Sequence, residues 1–290
     1  MFDPETYTYG FEIEWGDIDR TFEIPAILGS WEYSERDIVN LREPYKYVAT
    51  DPLGLNPPVG GEINTKPTAT WQEQVDRVFE IKDLFIAHNT APSVCCRSHS
   101  HVHVHVPGLI GNLGALKKLV SYIKANQEDT VKAVYPFRET ADMKGLKNVK
   151  SYMKYDGGRL MPGWMCDNIV NLSSDFEHFI RLHAAGKDGV SRGRPFRYAI
   201  NTYCLKHTKT VEFRCFRNTL DRQQLESCFR FAELFISAAL NNGPSVRDIV
   251  ASNEFEFPPF WFDANIWKGW SETKWDDKRG KKARQYCEVA

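Results

Sequence analysis

Four of the eight histidines in this 290-residue chain fall between positions 99 and 105, in the run HSHVHVH. In extended backbone, residues two apart share a face. His101, His103 and His105 therefore point one way, and Val102, Val104 and Val106 the other. Arg97 and His99 join the histidine side where the strand is regular that far. The same spacing recurs twice. YGFEIEWG puts Glu12 and Glu14 on one face, opposite Phe11, Ile13 and Trp15. TVEFRCF puts Glu212 and Arg214 on one face, opposite Val211, Phe213 and Cys215. GGEINTK adds Glu62 on a short strand of its own.

An ordinary wet sheet face uses Thr, Lys, Ser and Gln freely; this one concentrates Glu, His and Arg. Carboxylates gathered on one surface repel one another unless cations sit among them. Hard divalent ions with oxygen ligands meet that need, Mg2+ where phosphate is also bound and Mn2+ beside it. On this reading, removing one carboxylate, as in Glu212→Gln, relieves repulsion in the metal-free protein. Arg214 suits a phosphoryl oxygen, because its planar donor fork matches that geometry. A single Glu-x-Glu pair usually marks a solvated face, and the joint pattern is far more specific than any part. No Ser-His-Asp or Cys-His arrangement stands out, and the adjacent Cys95 and Cys96 fit inert, buried cysteines.

The elements that must position these residues follow from periodicity and turn chemistry. Strands are expected over 9–16, 21–27 and the GEINTKPT segment, which Pro67 ends. DPLGLNPPVGG over 51–61 is a turn. Helical spacing over 71–89 places Val75, Val78, Phe79, Phe85 and Ile86 on one stripe. One strand runs over 94–106, stopped by Pro107 and Gly108. A helix over 113–125 buries Leu116, Leu119, Val120 and Ile123. The Lys- and Gly-rich segment 138–165 reads as a long loop. Ser173 or Ser174 caps a short helix carrying Phe176, Phe179, Ile180 and His183. Segment 186–195 is a second basic loop. Strands over 196–202 and 210–216 form a hairpin. Asp221 caps a long helix with Gln224 completing a capping box; Leu225, Cys228, Phe229, Ala232, Phe235, Ile236 and Ala239 face inward. The order suggests an α+β fold, a largely antiparallel sheet with helices on one face and the other face free.

Composition narrows the class. The hydrophobic fraction is 42%, enough for a sizeable core. The 37 basic and 38 acidic residues nearly cancel, so bulk charge does not indicate a nucleic-acid partner. No apolar run approaches a membrane span of about 20 residues, and no signal-peptide core precedes the first strand. A soluble, cytoplasmic protein is expected. Seven cysteines without a CxxC pair argue against a disulfide framework or zinc knuckle. No linker divides the chain.

The ordered segments YGFEIEW, GGEINTKPT, HVHVHVPG, FRYAIN and KTVEFRCFRNTLD, followed by a long helix, resemble the amidoligase family. That family is similar to the carboxylate–amine ligase and glutamine synthetase group, which includes glutamate–cysteine ligases. The likeness spans 9–235; it is fairly specific for fold and chemistry and poorly specific for substrate. It implies one catalytic domain over 1–290, with an antiparallel sheet curved around an active-site funnel and helices outside. It implies ATP-dependent amide-bond formation, in which ATP phosphorylates a carboxylate and an amine attacks the acyl phosphate, with Mg2+ bridging the phosphates. Glu12, Glu14, Glu62 and Glu212 look like metal ligands. His103 or His105 would face a metal or the nucleotide phosphates. Arg214 would steady the transferring phosphate, and Arg197 and Asn201 match positions near the nucleotide or acyl acceptor. Partners would be small carboxylate and amine substrates, and a homo-oligomer stays open.

An acyl phosphate is lost to stray water, so the site should close during turnover. Segments 144–159 and 187–194, within the loops 138–165 and 186–195, are candidate lids; Lys147, Lys150, Lys154 and Arg192 could neutralise polyphosphate. The segment 253–290, with Trp261, Trp267, Trp270 and Trp275, has no counterpart in the family pattern, and three alternating histidines exceed what it requires. Two rival readings compete. A single Fe2+ or Zn2+ held by HxH and a distant Glu would make a cupin-like hydrolase or oxygenase, and a catalytically inactive relative would bind a partner.

Overall fold

The computed structural model describes residues 1–15, 38–39, 61–87, 94–95, 99–134, 159–188, 198–258 and 287–288. Its architecture is mixed helix and sheet. The central sheet is built from β1 (Thr8–Trp15), β2 (Ile38–Val39), β3 (Gly61–Asn64), β5 (His99–His105), β6 (Ile200–Asn201) and β7 (Thr210–Arg217). The strand order is β2-β3-β1-β5-β7-β6, and every pairing is antiparallel. A separate pair joins β4 (Val94–Cys95) to β8 (Cys287–Glu288). The single strand expected over 94–106 is thus two, in different sheets. Alternation alone does not say which partner each part finds.

Along the sheet, α5 (Arg222–Asn241) packs on the apolar side. Its seven expected inward residues are all buried, with Leu225, Phe229 and Phe235 fully so. Phe229 meets Phe11 of β1 and Phe235 meets Phe213 of β7, with ring centroids 5.5 and 5.4 Å apart. Asp221 caps the helix, its carboxylate accepting from the Gln224 amide at 3.0 Å. The Gln224 side chain accepts instead from the Thr219 hydroxyl, so the reciprocal half of the expected capping box is not made. A full box caps α6 (Val246–Ala251), between Ser245 and Asp248. At the C-terminus Asn242 takes the left-handed conformation at φ 55°, and Gly243 follows because a Cβ there would lie 2.8 Å from Ala238 Cα.

Two further helices flank α5. In α1 (Trp71–Ala87), Val75, Val78, Ile81 and Phe85 are buried, whereas Ile86 is 51% exposed, one position off the stripe. The helix α2 (Leu113–Val134) runs well past the expected end at 125. Its inward face continues in polar residues that no apolar stripe reveals. Asn126 accepts from the Val246 amide at 3.0 Å, and Gln127 exchanges two 2.8 Å bonds with the Met161 backbone.

Helix α3 (Gly163–Leu172) begins inside the segment read as a loop. Pro162 sits at its N-cap, where a missing N–H costs nothing. Helix α4 (Phe176–Leu182) is capped by Asp175, which accepts from the His178 amide at 2.7 Å, and not by Ser173 or Ser174. Among the described residues of the strand expected over 196–202, Ile200–Asn201 is strand, and a 3-10 turn over Tyr203–Lys206 leads into β7. The strand expected over 21–27, Trp261, Trp267, Trp270 and Trp275, and the interior of both expected lids lie outside the described residues. No described helix is long and apolar enough to cross a membrane.

Candidate functional site

Strand order decides what meets what. β5 lies between β1 and β7, so Glu12 pairs with His101 and His103 pairs with Glu212. On the far side of β7, Asn201 of β6 pairs with the same Glu212. Across β1 and β3, Glu14 stands opposite Glu62 by backbone register; their side chains, and all of Arg197, lie outside the described residues.

A bulge in β7 changes its parity. Between Ser100↔Phe216 and Val102↔Phe213, two steps on β5 match three on β7. Arg214 therefore stays on the side of Glu212. Phe216 turns to the helices, stacking on Phe213 at 6.1 Å and meeting Phe231 at the same distance. Arg217, paired with His99, returns to the polar side and is buried.

The polar face, expected to be free of helices, carries buried side chains. His101 and Glu212 are each 2% exposed and His103 7%. Among the described residues, Glu12, His103 and Glu212 form one group able to hold a metal ion. Each offers one donor atom, and the three atoms lie within 4.8 Å of one another. Glu12 bridges two histidines, with Oε1 3.1 Å from His103 Nε2 and Oε2 2.5 Å from His101 Nδ1. Arg214 Nη1 donates to Glu212 Oε1 and lies 3.4 Å from His101 Nδ1. Asn201 Nδ2 donates to Glu212 Oε2 at 2.7 Å, and the Cys204 thiol donates to the same oxygen at 2.8 Å.

Charge compensation follows from these contacts. Burial pushes the Glu12 carboxyl up, but the His101 and His103 imidazoles override it and hold it well below the usual range. Burial acts likewise on Glu212, and Arg214, His103 and His101 bring it down to about 2. His103 is penalised by burial, yet its bond to Glu12 and the charge of Glu212 raise it above the ordinary imidazole value. Burial and the Glu212 charge push the Cys204 thiol up, so it stays protonated. The expected carboxylate repulsion is therefore corrected: protein cations already answer both glutamates, and relief of repulsion no longer follows from Glu212→Gln.

Donor chemistry fits a divalent cation. Two carboxylates and one imidazole suit Mg2+ or Mn2+, and the nitrogen ligand favours the latter. His105 stands apart from this group, its Nδ1 2.9 Å from the Lys209 carbonyl. Asn201 spends its amide inside the protein, its Oδ1 accepting from the Tyr203 amide at 3.1 Å. Sequence reasoning passed over Cys204 and Thr210. Thr210 shares the parity of Glu212 and was open to the same argument; Cys204, on a turn, carries no periodic signal. Comparison with protein-family models, curated proteins and solved structures finds no match to this chain.

Proposed function

We propose that this chain is a divalent-cation- and ATP-dependent carboxylate–amine ligase, joining a small carboxylate to an amine with release of ADP and phosphate. The single observation that carries the reading is the convergence of Glu12, His103 and Glu212 on one sheet face, with Arg214 bonded to Glu212. The finer form of the fold that we propose is a glutamine synthetase-like catalytic domain. The antiparallel sheet with helices on its apolar side supports it, as does the order of the sequence motifs.

Such chemistry needs positioning and charge neutralisation more than a side-chain nucleophile. When bound, Mg2+ or Mn2+ supplies the neutralisation of phosphate charge. Glu12, His103 and Glu212 would hold it, with Glu14 and Glu62 added by their backbone register. His101 and Asn201 orient the two carboxylates. Arg214 would direct its guanidinium toward a transferring phosphoryl group, for which the fork is suited. His105, Arg197 and the segments 144–159 and 187–194 belong to the nucleotide and lid side of this proposal. A cytoplasmic setting, with its ATP supply, accords with it.

A second reading has one observation in its favour: the described donors make a single trio, which one Fe2+ or Zn2+ would satisfy. ADP release decides between them, measured with Mg2+ or Mn2+ against a panel of small acids and amines, beside metal analysis of the purified chain. The ligase reading expects weakly held metal and ADP release that needs both substrates. One tightly held Fe or Zn per chain, with no nucleotide binding, overturns it.

A further inference from the structure

Strand β6 ends the sheet and is two residues long, paired to β7 through Ile200 and Asn201. So short a strand is little to aim a side chain with. Yet Asn201 is aimed at every atom. Its Nδ2 donates to Glu212 Oε2 at 2.7 Å and to Cys204 Sγ at 3.2 Å, and its Oδ1 accepts from the Tyr203 amide. Both ends of the primary amide are committed, so they cannot be exchanged.

The next residue engages a different element. Thr202 is fully buried, and among the described residues its hydroxyl has one partner, His183 Nε2 at 2.6 Å. His183 is the C-cap of α4, and its Nδ1 lies 2.9 Å from the Phe179 carbonyl. Its ring meets those of Phe179 and Tyr203, with centroids 4.8 and 6.2 Å away. The direction of the bonds follows from the carbonyl. A carbonyl only accepts, so Nδ1 carries the proton of the neutral ring. Nε2 then accepts, and the Thr202 hydroxyl donates to it. Burial keeps the ring neutral at pH 7, because it lowers His183 to about 4.

We infer that His183 is a positioning residue: through the Thr202 hydroxyl it ties the edge strand to α4, and so holds the Asn201 amide on Glu212. The tie acts on one residue of the chain and its effect appears on the neighbour. Without the hydroxyl bond, two ladder positions alone would fix the orientation of Asn201. The consequence for cation affinity rests on the cation reading above; the anchoring of Asn201 does not.

The test is a 1H–15N correlation spectrum of the side-chain amides in the metal-free protein. Asn201→Ala assigns the Asn201 pair, and Asn126, whose amide donates to the Tyr122 carbonyl at 3.0 Å, serves as internal reference. In the wild type the Asn201 pair should be shifted away from free-amide positions, with the proton facing the carboxylate downfield. Thr202→Val keeps the shape of the side chain and removes the hydroxyl. It should move the Asn201 pair toward free-amide positions, leave Asn126 in place and weaken the Mn2+ Kd by about threefold, with Thr202→Ser matching the wild type in all three. His183→Phe, which keeps a ring and removes both nitrogens, should act as Thr202→Val does, and it decides the matter if Thr202→Val fails to fold. A lower melting temperature with the Asn201 signals unmoved makes the contact structural only and overturns the inference. A wild-type Asn201 pair at free-amide positions overturns it too. An Asn201 pair released by Thr202→Val, in a protein whose wild type binds no Mn2+, supports the inference and removes the cation reading instead.

Discussion

Asn201 and Glu212 face each other across the hairpin of β6 and β7, and the Asn201 amide donates to Glu212 Oε2 at 2.7 Å. A buried carboxylate thus receives a fixed donor from one side while Arg214 holds its other oxygen. Asn201→Ala should leave Glu212 with a looser rotamer and an unmet lone pair. Mn2+ affinity, followed by electron paramagnetic resonance titration, is expected to fall by about tenfold, as for other residues that orient a metal ligand. An unchanged affinity would separate Asn201 from the site.

Glu212→Gln tests charge in both directions. It should abolish divalent-cation binding, because a hard cation needs the lost charge. It should also destabilise the metal-free protein by roughly 3 kcal/mol, the scale for taking one partner out of a buried ion pair. Arg214 would lose the charge of Glu212, while His101 and His103 keep that of Glu12. Denaturant unfolding in the presence of chelator measures the effect, and a gain in stability would show that repulsion had dominated after all.

Acid should act in two windows. His183 is buried, its Nδ1 donating to the Phe179 carbonyl at 2.9 Å and its Nε2 accepting from the Thr202 hydroxyl at 2.6 Å. Burial lowers it from 6.5 to about 4. Between those values the unfolded chain binds the proton that the folded chain refuses, so stability falls as pH drops, by about 3 kcal/mol in total. Glu212 acts lower down. Its depressed value, from 4.5 to about 2, gives stability present above 4.5 and lost as pH falls toward 2. The loss of stability between pH 6.5 and 4 should shrink in His183→Gln, which leaves in place the opposite slope from the raised His103 nearer pH 7.

Val102 lies on the other face of the histidine strand and is fully buried among the helices' side chains. Val102→Asp puts an unpaired charge there, and a loss of about 4 kcal/mol or failure to fold is expected. Thermal melting should therefore separate this variant from His105→Gln, one strand face away and outside the trio, which should melt close to the wild type.

In the wild type, Mn2+ should raise the melting temperature in proportion to the logarithm of its concentration above Kd, because it binds the folded state. The shift should vanish in Glu12→Gln. A shift of equal size in that variant would place the bound ion elsewhere.

Strand parity was legible from the residues alone. A two-residue period determines that His101, His103 and His105 share a face and that Val102 and Val104 oppose them, whatever the partners of the strand. The inward stripe of the long helix was legible for the same reason. Where buried positions are polar, as at Asn126 and Gln127, periodicity of hydrophobicity goes silent, and the helix end was misjudged. Only the tertiary structure decided that β5 lies between β1 and β7. Glu12, His103 and Glu212 meet through that order, although Glu12 and Glu212 are far apart in the chain, and local preferences carry no information about it. Parity itself failed at the bulge, where one extra residue in β7 sends Phe216 to the core and Arg217 to the polar side. Burial and charge balance were likewise settled by the fold. Whether a cluster of glutamates repels or is answered depends on which donors the neighbouring strands deliver within a few ångströms, and here they deliver His101, His103 and Arg214.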